Sequence, residues 1–271
     1  MLSEHFLTAL EMNTRVVDGA KEAKELRIRG MAEIMHSSDA SPIEAILQAA
    51  LLDAEHTDLS WIQPPPEDHG WTLALDALRF LTNVVRHFKP RHILEFGSGL
   101  STLVLARAAA ALAHECRISS LDHDPEFGAA AAESCLNHVN ETCYVAFQTA
   151  PLVARWYGDK FVPTYLIKPK QLASEIPVDL VLIDGPPAVL GGREGTLYQA
   201  MDYVKPGALV LIDDARRREE RKALTNWQDM LGSAIEVIEL PAFTKGLAAI
   251  IVHEPVRGND LSTHRLKLEK W

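Results

Sequence analysis

Two apolar runs in this chain end in acids, VDLVLID at Asp184 and ALVLIDD at Asp213 and Asp214. Carboxylates in that position can hold a hard divalent cation through oxygen, or take a proton from a hydroxyl group. The plainer alternative is that Asp184 caps a turn and that Asp213 and Asp214 cap the helix after them. A fourth acid, Glu95, stands before Gly97-Ser98-Gly99 in HILEFGSGLST. Glycines there let the backbone turn sharply and approach a ligand closely. A carboxylate beside such a turn repels a pyrophosphate and suits a cationic ligand. Asp122 ends the next apolar run, RISSLD, where it can accept hydrogen bonds from paired sugar hydroxyls. His69 and His123 are the histidines held as acid–base candidates. Arg193, after two glycines, is either a solvated charge or a clamp for an acceptor's carboxylate or phosphate.

These residues need strands and helices to bring them together. Strand-like runs occupy 92–96, 117–122, 143–147, 179–184, 208–214, 234–240 and 247–254, with helical patterns over 101–114, 125–139, 194–204 and 216–231. That alternation predicts a parallel sheet covered on both faces. Ligands of open α/β sheets bind outside the carboxyl ends of the strands, so Gly97, Asp122, Asp184 and Asp213 should share one edge. Only PAFTKG separates the last two runs, too little for a parallel crossover, so they should pair antiparallel. Before residue 70 the spacing is helical: Leu7, Leu10 and Val17, then Ala23, Leu26, Met31 and Ile34. In SPIEAILQAALLDAE, Ser41 is the N-cap, Pro42 the first helical residue and Glu44 the box partner. QPPPEDHG over 63–70 is a stiff connector, and 71–88 is a further amphipathic helix. The expected division is a helical N-terminal extension (1–70) reaching over the active-site edge or forming a dimer contact, a main domain (71–258) and a polar tail (259–271). Trp61 and Trp71 flank the connector, as core packing or as an acceptor-pocket lining.

The segments ILEFGSGLST, SLDHDPEF, VDLVLIDGPP and VKPGALVLIDDARR, in that order and spacing, resemble the motifs of class I S-adenosylmethionine-dependent methyltransferases over about residues 75–255. The resemblance implies an α/β fold with a Rossmann-like, seven-stranded, mostly parallel sheet and a terminal antiparallel hairpin. It implies S-adenosylmethionine as cofactor, with Glu95, Gly97, Ser98 and Gly99 toward its methionine end. Asp122 would take the ribose, His123 and Ala150 would lie near the adenine, and Ser101 and Asp184 would also bind the cofactor. A nicotinamide dinucleotide is the rival ligand, but the third glycine of its fingerprint is replaced by Thr102. Asp184, Asp213 and Asp214 also match the Mg²⁺ positions of cation-dependent O-methyltransferases, although GPPAVLGGR lacks the lysine those enzymes carry there. The longer pattern D-G-P-P…R…D-D-A-x-R is similar to bacterial small-molecule O-methyltransferases and marks Arg193 and Arg216. The function so implied is methylation of a glycan or secondary-metabolite hydroxyl, with Asp184 and Arg193 at the reacting group. The alternatives are a metal-free N-methyltransferase and a cofactor-binding partner subunit without catalysis.

Composition narrows the partners. Hydrophobic residues make up 47% of the chain and charged ones 24%, which requires a packed core. A net charge of −10 argues against nucleic acid, whose binding rests on Lys and Arg. Cys116, Cys135 and Cys143 have no paired spacing and read as idle thiols in a reducing compartment. The start of the chain lacks the long apolar run of a leader or anchor, so a cytoplasmic protein without membrane contact is expected. RRREERK, 216–222, reads as an exposed face of mixed charge.

Overall fold

The computed structural model describes residues 28–30, 40–62, 72–167, 172, 177–257 and 261. The helical readings before residue 40, the connector over 63–70 with His69, Trp71 and nearly all of the tail lie outside the described residues.

The chain opens with strand β1 (Ile28–Gly30). Helix α1 (Pro42–Ala54) starts at the expected box: Ser41 Oγ accepts the Glu44 N–H at 3.3 Å, and the Glu44 carboxylate accepts the Ser41 N–H at 2.6 Å. Helix α2 (Leu75–Phe88) follows, then β2 (His92–Phe96), α3 (Leu100–Ala110), β3 (Cys116–Asp122), α4 (Pro125–Cys135) and β4 (Cys143–Thr149). A hairpin of β5 (Leu152–Tyr157) and β6 (Lys160–Tyr165) comes next, in a stretch where the sequence offers no motif. The chain continues through β7 (Val178–Ile183), α5 (Glu194–Ala200), β8 (Val204–Asp213), α6 (Arg218–Leu231), β9 (Ile235–Leu240) and β10 (Leu247–Val252).

The strands form an eight-stranded sheet in the order β1-β9-β10-β8-β7-β2-β3-β4, beside the separate β5–β6 pair. The seven expected strands are all present. β10 runs antiparallel to both neighbours, as the short PAFTKG link to β9 requires, and the other pairings of the eight-stranded sheet are parallel. The departure is β1. Residues 28–30 lie inside a stretch with helical spacing, yet they pair with Val237–Glu239 at the sheet edge.

Both faces of the sheet are covered. On one, Leu47 and Leu51 of α1 and Phe80, Leu81 and Val84 of α2 join Val104 and Leu105 of α3 over Ile93, Leu180 and Leu209. On the other, Leu197 and Tyr198 of α5, Leu224 and Trp227 of α6 and Tyr165 of β6 pack on Leu94, Val181 and Val210. Helix α1 therefore shares the sheet's core. It lines neither cavity at the carboxyl edge.

From β2 the chain moves outward through β3 and β4, then returns to place β7 on the other side of β2. β2 and β7 are thus the switch point of the sheet, where a crevice opens at the strand ends.

Candidate active site

At that switch point two strand ends touch backbone to backbone. The Phe96 carbonyl accepts the N–H groups of Asp184 and Gly185 at 2.8 and 2.7 Å. Gly97 has φ +97°, and a Cβ on it would stand 2.9 Å from Gly185 N and 3.1 Å from the Asp184 carbonyl carbon. Gly99 differs. Its backbone is extended, and a Cβ there would meet nothing within 4 Å. The open space before it is a cradle that a side chain would fill. Gly97→Val should therefore cost at least about 3 kcal/mol of stability, through a strained backbone and overpacking. Gly99→Val should melt like the parent and lose affinity for S-adenosylhomocysteine. Thermal unfolding and calorimetry on the two variants separate these effects, and a Gly99→Val protein that binds normally would empty the cradle of meaning.

Glu95 is fully buried and reaches neither cavity. Its carboxylate accepts hydrogen bonds from Ser101 Oγ at 2.6 Å, Thr102 Oγ1 at 2.5 Å and Ser120 Oγ at 2.6 Å. Burial pushes it up to about 7, against the pull of those three hydroxyls. Thr102 Oγ1 also accepts the Gly99 N–H at 3.0 Å. Glu95 is thus an internal anchor for the turn rather than a wall of the cavity. The third motif position is threonine because its hydroxyl ties the turn to that anchor.

Asp122 does face the main cavity. Its two oxygens accept the backbone N–H groups of Ser98 and Asp124, each at 2.8 Å, so its orientation is fixed by the loops on either side. Ser98 Oγ lies 2.7 Å from Ser120 Oγ. His123 shares the cavity wall, with Nδ1 3.2 Å from Asp122 Oδ1. Ala150 is buried outside both cavity walls, its N–H donating to the Asp122 carbonyl at 2.7 Å. Gly99 and Ser101 border the second cavity. Trp61 is in neither: it stacks near His138, with Arg107 over its ring at 4.3 Å.

At the acid end, Asp184, Asp213 and Asp214 converge with oxygens within 4.8 Å of one another. Hard oxygen donors so close are the set a divalent ion takes. The cation found among them is a guanidinium. Arg193 Nη2 donates to Asp184 Oδ1 at 3.1 Å and to Asp214 Oδ2 at 2.7 Å, and Nη1 donates to the Asp213 carbonyl at 2.6 Å. With its side chain 4% exposed, Arg193 is not the solvated charge that the sequence allowed, and it lines the main cavity beside Asp184. Arg217 adds a second guanidinium on Asp214 Oδ2 at 2.8 Å, and Asp214 holds φ +60°. Burial pushes Asp184 well above the usual carboxylate range, although Arg193 pulls it back. Burial, with Asp214 alongside, moves Asp213 up to about 6, and Asp213 Oδ1 is buried without a hydrogen-bond partner. The capping alternative is not what forms: α6 starts behind Arg217 with no side-chain cap. RRREERK is not wholly an exposed face either, because Glu220 is 1% exposed with its carboxylate 3.8 Å from Arg193 Nε. Arg216 instead donates to the carbonyls of Thr244 (3.2 Å) and Pro241, tying down the β9–β10 loop.

Tyr165 is the site residue that the sequence did not reveal. It is fully buried, its hydroxyl has no hydrogen-bond partner, and it lines the main cavity beside Gly97 and Gly185. The turn Gly158-Asp159 between β5 and β6 is the sequence feature that could have exposed the hairpin carrying it. The main cavity measures about 350 Å³, with Pro187, Ala188 and Val189 as its apolar side. A second, of about 260 Å³, shares Ser98, Phe127 and Asp184 with it.

Residues 94–215 match the family model described as a methyltransferase domain. The matched stretch begins in β2 and ends after Asp214, so it contains every strand-end residue described above. No curated protein matches the chain in sequence. Among solved structures, the SAH-bound methyltransferase PaMTH1 of Podospora anserina is similar with a TM-score of 0.50 and 18% identity, over 75% of this chain and 87% of that one. The O-methyltransferase of Bacillus cereus in complex with SAH gives a TM-score of 0.47 and 16% identity, over 81% of this chain and 94% of that one. The SAM-dependent O-methyltransferase of Thermotoga maritima gives 0.46 and 12%, over 77% and 72%. The fold is the Rossmann-like methyltransferase fold. Together with the matched domain it makes this chain a methyl-transferring enzyme.

Proposed function

We propose that the enzyme transfers the methyl group of S-adenosylmethionine to a hydroxyl oxygen of a small molecule. The observation that carries this reading is Asp184, an acid 16% exposed at the end of β7, with a raised affinity for protons and a place in the cavity wall. Such a group, set in the cavity wall beside Gly97 and Gly185, is placed to take a proton from an acceptor hydroxyl. A neutral amine acceptor needs no such base. The cofactor supplies an electrophilic methyl on a sulfonium sulfur, as the SAH-bound state of PaMTH1 suggests by analogy. Asp122, Ser98 and the space before Gly99 are the residues to hold it. The free Tyr165 hydroxyl offers a further hydrogen bond from the cavity floor. Pro187, Ala188 and Val189 give the acceptor an apolar wall that keeps water from the reacting oxygen. A cavity of about 350 Å³ is within the range of small-molecule sites. No helix among the described residues is long and apolar enough to cross a membrane.

The test is a set of phenols, sugars and amines incubated with S-adenosylmethionine labelled in the methyl group. Label on an acceptor oxygen, with S-adenosylhomocysteine formed in equal amount, is the expected result. Label on amine nitrogen alone, or cofactor binding without turnover on any acceptor, would overturn the reading.

A further inference from the structure

We infer that Arg193 is the resident cation of the carboxylate cluster, a positioning residue that holds Asp184 and Asp214 in place without a divalent metal. The inference deepens the proposed methyl transfer and rests on it for its kinetic arm alone.

Arg193 reaches the cluster from a turn built on two glycines. Gly191 and Gly192 have φ of +104° and +78°, a backbone region that side-chain-bearing residues rarely adopt. A Cβ on Gly191 would stand 2.9 Å from Pro163 Cγ of β6. These two glycines turn the loop after Gly185-Pro186-Pro187 back against the hairpin and aim the next side chain, Arg193, inward. The side chain is then enclosed, 4% exposed, among the ends of β7 and β8 and the first turn of α6.

Its contacts occupy the place between two of the three acids. Asp184 Oδ1 and Asp214 Oδ2 both face the same nitrogen, Arg193 Nη2, at 3.1 and 2.7 Å. A small divalent ion binds oxygen at about 2.0–2.1 Å. An ion held by those two oxygens would lie where Nη2 lies, against a group that cannot shed its proton. Displacing the guanidinium would break its donation to the Asp213 carbonyl at 2.6 Å. It would also leave a buried charge without its partners, which is strongly destabilising. Behind Arg193 is Glu220, buried, with neither oxygen in a hydrogen bond, so an acid on each side keeps the cation in place. Arg217 takes further negative charge from Asp214. What Arg193 provides is geometric: with Oδ1 of Asp184 held, the carboxylate presents a fixed face to the cavity.

The experiment has two arms. In the first, wild-type protein without cofactor or acceptor is titrated with Mn²⁺ and the free ion is followed by electron paramagnetic resonance. No binding below millimolar Mn²⁺ is expected. Arg193→Met, which removes the charge and vacates its place, should acquire tighter Mn²⁺ binding. In the second arm, methyl transfer by wild type should persist in excess EDTA. Arg193→Met should lose about 100-fold in kcat with a smaller change in KM, because the base is misplaced rather than the cofactor lost. Arg193→Lys should recover part of that loss while binding no Mn²⁺, and it keeps the comparison alive if Arg193→Met fails to fold. Tight Mn²⁺ binding by wild type, or activity abolished by EDTA and restored by Mg²⁺, would overturn the inference. If no acceptor is ever methylated, the proposed function fails by itself, and the Mn²⁺ titration still decides the identity of the cation.

Discussion

Asp184→Asn is expected to lower the rate of methyl transfer by about 10²- to 10⁴-fold, the range for loss of a general base. Affinity for S-adenosylhomocysteine should stay within a few-fold of the parent, because the proposed cofactor cradle rests mainly on Gly97–Gly99 and Asp122. The substitution keeps the shape and a hydrogen-bond acceptor for Arg193, so the loss reports the missing base. The pH profile sharpens the test. Burial raises Asp184 well above the usual carboxylate range and Asp213 to about 6, and the two acids interact. Their ionisations therefore belong to the pair. A base must be ionised to act, so the parent's rate should climb as pH rises through this range and vanish below it. Stability should run the other way. Raised acids such as Asp213, at about 6, and Glu95, at about 7, favour the folded state when protonated. That contribution is complete below their unfolded values near 4 and is lost as pH rises through 6 to 7. The ligand-free enzyme should accordingly melt lower at pH 8 than at pH 5.5 while working faster. An Asp184→Asn enzyme with the parent's rate and an unshifted acidic limb would move the base elsewhere in the cavity.

Particular residues show why some of this was legible in the sequence. A strand buried on both faces reads as one apolar run, and the residue where the run stops marks the strand's end. VDLVLID and ALVLIDD therefore placed Asp184 and Asp213 at the correct edge without any knowledge of the fold. The short PAFTKG link gave the direction of β10 for the same kind of reason, since chain length limits connection type. Arg193 was harder. Whether a charge after two glycines is solvated or buried depends on Asp214 and Glu220, which lie more than twenty positions away. Glu220 was hidden in RRREERK, where six charged neighbours make an exposed face the natural reading. Glu95 was read as suiting a cationic ligand at the glycine turn, whereas its contacts run inward to Ser101, Thr102 and Ser120, which only the packing of α3 on β3 determines. The β5–β6 hairpin has exposed Phe161 and Trp156 stacked at 4.9 Å, so its apolar residues do not follow a simple inside–outside alternation. Its Gly158-Asp159 turn was the readable part. β1 shows the limit of periodicity: three residues with helical spacing pair with the open edge of β9 because that edge offers unpaired backbone groups.

Asp122→Ala is expected to lower affinity for S-adenosylhomocysteine by at least about 100-fold. Two losses combine. The ionised carboxylate has room for about four hydrogen bonds, and the N–H groups of Ser98 and Asp124 take two, each at 2.8 Å. The remaining capacity faces the cavity, where two ribose hydroxyls would each contribute roughly 1.5–3 kcal/mol as charge-assisted bonds. Alanine removes both. It also strands the Ser98 N–H in a turn whose position defines the cradle before Gly99, so the pocket loses shape as well as a partner. Asp122→Asn should be nearly as damaging, since one of its atoms becomes a donor facing an N–H. Asp124→Ala supplies the control. Its carboxylate caps α4 by accepting the Glu126 N–H at 2.8 Å and has no part in the cavity wall. That variant should lose about 1 kcal/mol of stability, as an N-cap does, and bind S-adenosylhomocysteine like the parent. Calorimetry on the three proteins, each checked for folding by near-ultraviolet circular dichroism, gives the answer. A folded Asp122→Ala protein with the parent's affinity would show that the ribose is held elsewhere, and that Asp122 serves only to fix the turn at Ser98.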